Sequence, residues 1–223
     1  KYFNSILHGL ILNSNLFDNK SDNKSDNKSD NKIVDFQTYF NNKTVLVTGS
    51  SGLIGTDLVL NLLDLNIKKI ICIDLKEKPL EFNNSKIEYY QKDVNDLDIN
   101  LVKELNPEIL FHLAATFERT TETLEFWEES FKNNVKLSNH VGTICKNLSN
   151  LERVVFTSSY LIYNSELYTF DKPQINPIII NEDTPILPRN ICGAAKLLHE
   201  VELNYFSQFK DFKFTCVMPR IYR

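Results

Sequence analysis

Glycine is scarce in this 223-residue chain: there are 6, and three of them fall within positions 49–55. Cysteine is scarcer still. Cys72, Cys145, Cys192 and Cys216 are scattered with no CxxC spacing, so neither a zinc site nor a redox motif is suggested. Free thiols in a reducing cytosol are the expectation, which places the protein in the cytoplasm. There is no excess of positive charge. The formal net charge is -4, so the chain lacks the basic footprint of a nucleic-acid binder. No apolar run approaches the ~18 residues of a membrane span. Methionine occurs once, at Met218, so Lys1 is not an encoded start. The 42% hydrophobic and 24% charged fractions are ordinary globular values. They exclude a wholly disordered chain, a collagen-like chain and a disulfide scaffold.

Residues 1–17 carry Phe3, Ile6, Leu7, Leu10 and Ile11 at roughly helical spacing, which predicts a short amphipathic helix. Residues 18–32 repeat Asp-Asn-Lys-Ser without an apolar residue. Such a stretch cannot offset the entropy of ordering and reads as a disordered linker. The folded domain is expected over 33–223. There the pattern alternates strand and helix. Thr44–Thr48, Lys69–Leu75, Lys86–Gln91, Ile109–Ala114, Arg153–Ser158 and Lys213–Met218 read as strands. Residues 53–65, 121–148 and 191–206 read as helices. Near-continuous apolar strands between helices predict an α/β fold, a doubly wound, Rossmann-type parallel sheet covered on both faces.

The first strand runs into Thr48-Gly49-Ser50-Ser51-Gly52-Leu53-Ile54-Gly55. Strand, glycine turn and helix form the context of a dinucleotide fingerprint. Gly49 would make the tight turn, Gly52 would admit the pyrophosphate, and Gly55 would let the helix pack closely. The phosphates would sit on the positive helix N-terminus. Asp74 ends the second strand, where a carboxylate accepts both ribose hydroxyls and repels a 2′-phosphate. This favours NAD over NADP, although a solvated strand-end acid beside Lys76 would look the same.

TGSSGLIG (48–55), Asp74, Asp93-Val94, HLAA (112–115), NNV (133–135), FTSS..IY (156–163) and GAAK (193–196) occur in one order. With these motifs, residues 43–222 resemble the extended short-chain dehydrogenase/reductase family, the NAD-dependent epimerases and dehydratases of nucleotide sugars. The resemblance implies that Gly49, Gly52, Leu53, Ile54 and Gly55 line the pyrophosphate and that Asp74 holds the adenosine ribose. It implies further that Asp93 and Val94 contact adenine, that Ala114 and Ala115 flank the other ribose, and that Asn134 supports the cofactor loop. Ser159 matches the hydroxyl that bonds the reacting sugar oxygen. Lys196 matches the lysine that holds the nicotinamide ribose. No metal is implied. A nucleotide sugar is the implied substrate, polysaccharide biosynthesis the implied setting, and pairing of two copies through the 121–148 and 191–206 helices the implied assembly.

Two departures bear on chemistry. The family's catalytic tyrosine precedes the lysine by four residues, one helical turn away on the same face. Here that position is Cys192. The cysteine reads in three ways: a small helix residue in a weakened enzyme, a bystander to a relay through Tyr160, Tyr163 or water, or a thiolate that is itself base or nucleophile. A thiol's ordinary pKa of about 8.5, against about 10 for a phenol, does not disqualify it. In 4,6-dehydratases an Asp-Glu pair follows the catalytic Ser/Thr. Here Tyr160 and Leu161 stand there, which fits a 4-epimerase better. Residues 164–181 read as an insertion beside the substrate mouth, either shaping sugar choice or an unselected loop. Relatives continue for roughly a hundred residues past the sixth strand, so the substrate domain is expected to be largely absent. Two functions stay open: an NAD-dependent nucleotide-sugar oxidoreductase most like a 4-epimerase, and a catalytically impaired dinucleotide-binding module.

Overall fold

Alternation within the apolar runs decides the architecture. A computed structural model describes residues 36–117, 123–209 and 212–221. The expected helix over 1–17 and linker over 18–32 lie outside the described residues. Six strands form one parallel sheet in the order β3-β2-β1-β4-β5-β7. They are β1 (Thr44–Thr48), β2 (Lys69–Asp74), β3 (Ile87–Gln91), β4 (Ile109–His112), β5 (Arg153–Phe156) and β7 (Thr215–Val217). The order reverses at β1, so the crevice between the carboxyl ends of β1 and β4 is where such a sheet binds ligands. This is the doubly wound fold expected from the sequence.

Side chains on a strand alternate between faces. Val45, Val47, Ile70, Cys72, Ile109, Phe111 and Val155 face one way. There they meet Phe40 of α1 (Phe36–Phe40) and Leu58, Val59 and Leu62 of α2 (Leu53–Leu63). Leu46, Ile71, Ile73, Leu110, Val154 and Phe156 face the other way. They pack on Val102 of α3 (Ile99–Leu105), on Val141 and Ile144 of α5 (Leu137–Asn147) and on Leu203 of α6 (Ile191–Ser207). Burial on both faces explains why these strands read as unbroken apolar runs.

Several expected elements differ; the fifth strand stops at Phe156 rather than Ser158. The fourth strand stops at His112 rather than Ala114, because the chain turns there into the cleft loop. The sixth is only Thr215–Val217, an edge strand paired on one side to β5. The long helix is not one helix. It runs as α4 (Leu124–Ser130), a π-helical segment Phe131–Lys136, then α5. Thr123 caps α4 by accepting the Phe126 N–H at 3.2 Å. A second small sheet pairs β6 (Ser158–Ser159) with β8 (Arg220–Ile221). Among the described residues the four cysteines form no disulfide.

Candidate functional site

The glycine turn is shaped by close approach. Gly49 has φ +71°, a left-handed conformation that side chains resist, and a Cβ there would lie 2.6 Å from the Ala114 nitrogen. The Gly49 N–H donates to Ile73 O at 2.9 Å, tying the turn to β2. A Cβ on Gly55 would lie 2.2 Å from Gly49 O, so α2 packs directly on the turn. Gly52 differs: a Cβ there would meet only Gly49 O at 3.3 Å. Gly52 is the N-cap of α2 and no side chain caps that end. The uncapped end leaves backbone N–H donors and the positive end of the helix dipole available to an anion.

A cleft of about 270 Å³ opens beside this turn. Gly49, Gly52, Asp74, Asp93, Val94, Ala114 and Ala115 all line it. Seven residues drawn from four separate segments of sequence therefore meet at one place. Of the other expected contacts, Leu53 is exposed and Ile54 packs on the core, so only their backbone positions at the helix end bear on the cleft. Lys92, Thr116, Asn133 and Leu137 line the cleft as well and were missed. Thr116 and Lys92 directly adjoin motifs that were read and Asn133 opens one of them, which is the signal that could have found them.

Hydrogen bonds hold the walls. Asp74 Oδ2 accepts the Ser51 N–H at 2.9 Å and Oδ1 accepts the Lys76 N–H at 3.0 Å. Asp93 Oδ1 accepts from the Asn95 backbone at 2.9 Å, and Lys132 stands 3.4 Å from Oδ2. Burial opposes the charge on Asp93, but the Asn95 bonds and Lys132 outweigh it and hold the carboxyl below its ordinary value. Thr48 Oγ1 lies 2.8 Å from His112 Nδ1 and accepts the Ala114 N–H at 3.4 Å, fastening β1 to the loop after β4. His112 is fully buried. Burial and the neighbouring His199 and Lys196 charges keep its pKa well below the ordinary value, so it is a neutral packing group.

The π-helical segment explains Asn134. Its Oδ1 accepts the Thr116 N–H at 2.8 Å, and its Nδ2 donates to Ser130 Oγ at 2.9 Å and Thr116 O at 3.2 Å. The widened turn brings the side chain under the cleft loop, a placement typical of π-bulges at functional sites. Asn134 is therefore a support behind the cleft, not a wall of it.

The three expected catalytic residues lie on the α6 side. Asn190 caps α6 by accepting the Gly193 N–H at 2.9 Å. Gly193 lets the helix sit against Leu161 O, 2.4 Å from where a Cβ would be. That contact places α6 on the turn that Ser159 begins. Ser159 Oγ accepts the Leu161 N–H at 3.2 Å. Lys196 Nζ donates to Thr157 O at 2.8 Å and stands 4.7 Å over the Phe156 ring. Burial pushes its pKa down to about 8. Cys192 is 4% exposed, with Sγ 3.8 Å from Asn134 Nδ2 and 3.9 Å from both Ser130 Oγ and Thr116 O. It packs behind the cleft loop rather than lining the cleft. The Tyr163 hydroxyl is engaged elsewhere: it donates to Asn181 O at 3.0 Å and accepts from Arg220 at 2.7 Å. The insertion returns to this region through Leu187 N–H to Ile162 O and Arg189 N–H to Leu161 O, while Ile175 and Ile179 point to solvent.

Among the described residues no group of three His, Cys, Asp or Glu could hold a metal ion, and no helix is long and apolar enough to cross a membrane. Residues 45–220 match the model of the NAD dependent epimerase/dehydratase family. The chain is 32% identical over 174 residues to an uncharacterized membrane protein of Methanocaldococcus jannaschii, covering 74% of this chain and 44% of that one. It is 31% identical over 186 residues to a UDP-glucose 4-epimerase of Mycolicibacterium smegmatis, covering 78% and 54%. Among solved structures, MoeE5 in complex with UDP-glucuronic acid and NAD superposes with a TM-score of 0.65 at 25% identity, covering 79% of this chain and 54% of MoeE5. The chain thus spans about half the length of the curated relatives it matches. Fold, motif order and family model agree, and the chain belongs to the NAD dependent epimerase/dehydratase family, within the extended short-chain dehydrogenase/reductases.

Proposed function

We propose that the cleft binds NAD and that the protein serves a reversible oxidation at a nucleotide-sugar hydroxyl, of the 4-epimerase kind. The convergence of the glycine turn, the acidic β2 end and the Ala114-Ala115 loop on one cleft carries this reading. The residues present fit a dinucleotide. The turn is open at Gly52, the α2 end is uncapped, and the rim offers a carboxylate at the ribose position.

When bound, NAD supplies a hydride acceptor and donor. The chain's own residues bind and orient. The amides of Leu53, Ile54 and Gly55 hold the pyrophosphate, Asp74 the adenosine ribose, and Asp93 with Val94 the adenine. Lys196 holds the second ribose. Ser159 bonds the reacting sugar oxygen, since its Oγ already accepts one N–H and keeps its own proton to donate. Ser159 and Lys196 are the groups that hold a proton at that oxygen; the Tyr163 hydroxyl is committed to Arg220 and Asn181. Tyr160 and Leu161 supply no carboxylate, which disfavours water elimination. Exposed Leu124 and Trp127 on α4 with Phe131 at the start of the π-helical segment, and Leu198, Val201 and Tyr205 on α6, recur at helical spacing and support pairing of two copies through these faces.

One observation favours a second reading, a dinucleotide-binding module with impaired chemistry: Cys192 is packed away behind the loop. Incubation with NAD and a panel of UDP-, dTDP- and GDP-sugars, followed by NMR of the products, separates the two. Interconversion of a 4-epimer pair supports the epimerase reading. Tight NAD binding without conversion of any sugar supports the module.

A further inference from the structure

Tyr89 of β3 takes no part in the chemistry above, yet its hydroxyl ties Ser51, the neighbour of the cleft-lining Gly52, to Lys76 of the cleft wall. It stands 2.7 Å from Ser51 Oγ and donates to Lys76 O at 2.7 Å. A phenol has one proton, and a carbonyl oxygen can only accept. The Tyr89 proton is therefore spent on the Lys76 carbonyl, and Ser51 must donate its own proton to Tyr89. Ser51 Oγ is left with lone pairs alone for any further partner. Its backbone N–H meanwhile donates to Asp74 Oδ2, so this acceptor-only oxygen belongs to the residue that holds the Asp74 carboxylate. We propose that Tyr89, through the directed chain Ser51 to Tyr89 to Lys76 C=O, keeps the Ser51 hydroxyl oxygen beside the adenosine-ribose position an acceptor-only group and so is a specificity-determining residue for NAD over NADP. A 2′-hydroxyl can donate to such a group. A 2′-phosphate carries only acceptors there at neutral pH and is rejected, even though the Lys76 ammonium on the same rim would attract it.

The inference rests on the dinucleotide reading of the cleft. Its test is the ratio of Kd values for NADPH and NADH, measured by coenzyme fluorescence on wild type, Tyr89→Phe, Ser51→Ala and the double variant, with Asp74→Asn as a background that raises weak NADPH binding into range. Tyr89→Phe releases the Ser51 proton to donate to a phosphate. NADPH should then tighten about fivefold relative to NADH, the worth of about one hydrogen bond. Adding Tyr89→Phe to Ser51→Ala should change the ratio no further. Should Tyr89→Phe fail to fold, Ser51→Ala alone should raise relative NADPH affinity by removing the acceptor. General loosening of the turn would weaken both coenzymes alike and leave the ratio fixed. An unmoved ratio in both single variants overturns the proposal, as does a Tyr89→Phe shift that persists without the Ser51 hydroxyl. Wild type that binds NADH while the ratio stays fixed refutes this proposal alone. Wild type that binds neither coenzyme refutes the cleft reading and the proposal with it.

Discussion

Substituting alanine separately at Gly52 and Gly55 separates folding from binding within a single turn. At Gly55 the added methyl would lie 2.2 Å from Gly49 O and 2.8 Å from the Ser50 Cα and carbonyl carbon. All are backbone atoms, so no side chain can rotate away and the turn itself must move. Overpacking of this kind costs about 3 kcal/mol, a large part of the roughly 5–15 kcal/mol that holds a domain together. With a urea m-value of about 3 kcal/mol/M, the unfolding midpoint should fall by about 1 M. At Gly52 the methyl meets one atom at 3.3 Å, and φ -73°, ψ 171° is open to alanine. Replacing an N-cap glycine by alanine costs about 1 kcal/mol. The same methyl stands where a pyrophosphate would approach the α2 end. Losing one backbone hydrogen bond to a charged phosphate costs about 2 kcal/mol, about thirtyfold in Kd. Urea unfolding and calorimetric titration with NAD read the two effects. Gly52→Ala that binds NAD as tightly as wild type would refute the pyrophosphate seat. Gly55→Ala with an unchanged midpoint would refute the close-packing argument.

Cys192→Tyr should raise sugar turnover at least tenfold, because a positioned general base contributes about 10²–10⁴; NMR progress curves on a folded variant that show no gain would remove the missing phenol as the limiting factor. Asn134→Ala leaves the Thr116 N–H, Thr116 O and Ser130 Oγ without their amide partner and should destabilise by about 2–3 kcal/mol; a thermal midpoint unchanged from wild type would contradict that support role. Lys196 binds its proton less tightly in the folded chain, about 8, than its ordinary 10.5. Between those values the unfolded chain holds more protons, so stability should rise with pH across that window, with the full penalty present below it. Lys196→Met should flatten the rise in urea-derived stability between pH 8 and pH 10, and an identical slope in both proteins would count against it.

Most of the fold was legible because buried parallel strands announce themselves as β-branched runs, and Thr44–Thr48 was read to the residue. The glycine turn was legible because close backbone approach leaves no substitute for Gly49 or Gly55. Asp74 was legible as a strand-end acid. The π-helical segment Phe131–Lys136 was not, since its residues keep helical apolar spacing and nothing local reports one extra residue per turn. The two-residue strands β6 and β8 are too short to carry a period. Leu137 reaches the cleft through tertiary packing alone. The sequence likewise marks Cys192 as a departure from its family, but only the fold shows the thiol set against Ser130 and Thr116.

Every role assigned to the site follows from a dinucleotide in the cleft beside Gly52. Isothermal titration of the folded protein with NAD, and in parallel with NADH, tests this directly. Saturable heat with one equivalent bound per chain is expected, greatly weakened in Gly52→Ala. No heat from either form of the coenzyme with properly folded protein would contradict a dinucleotide seat there.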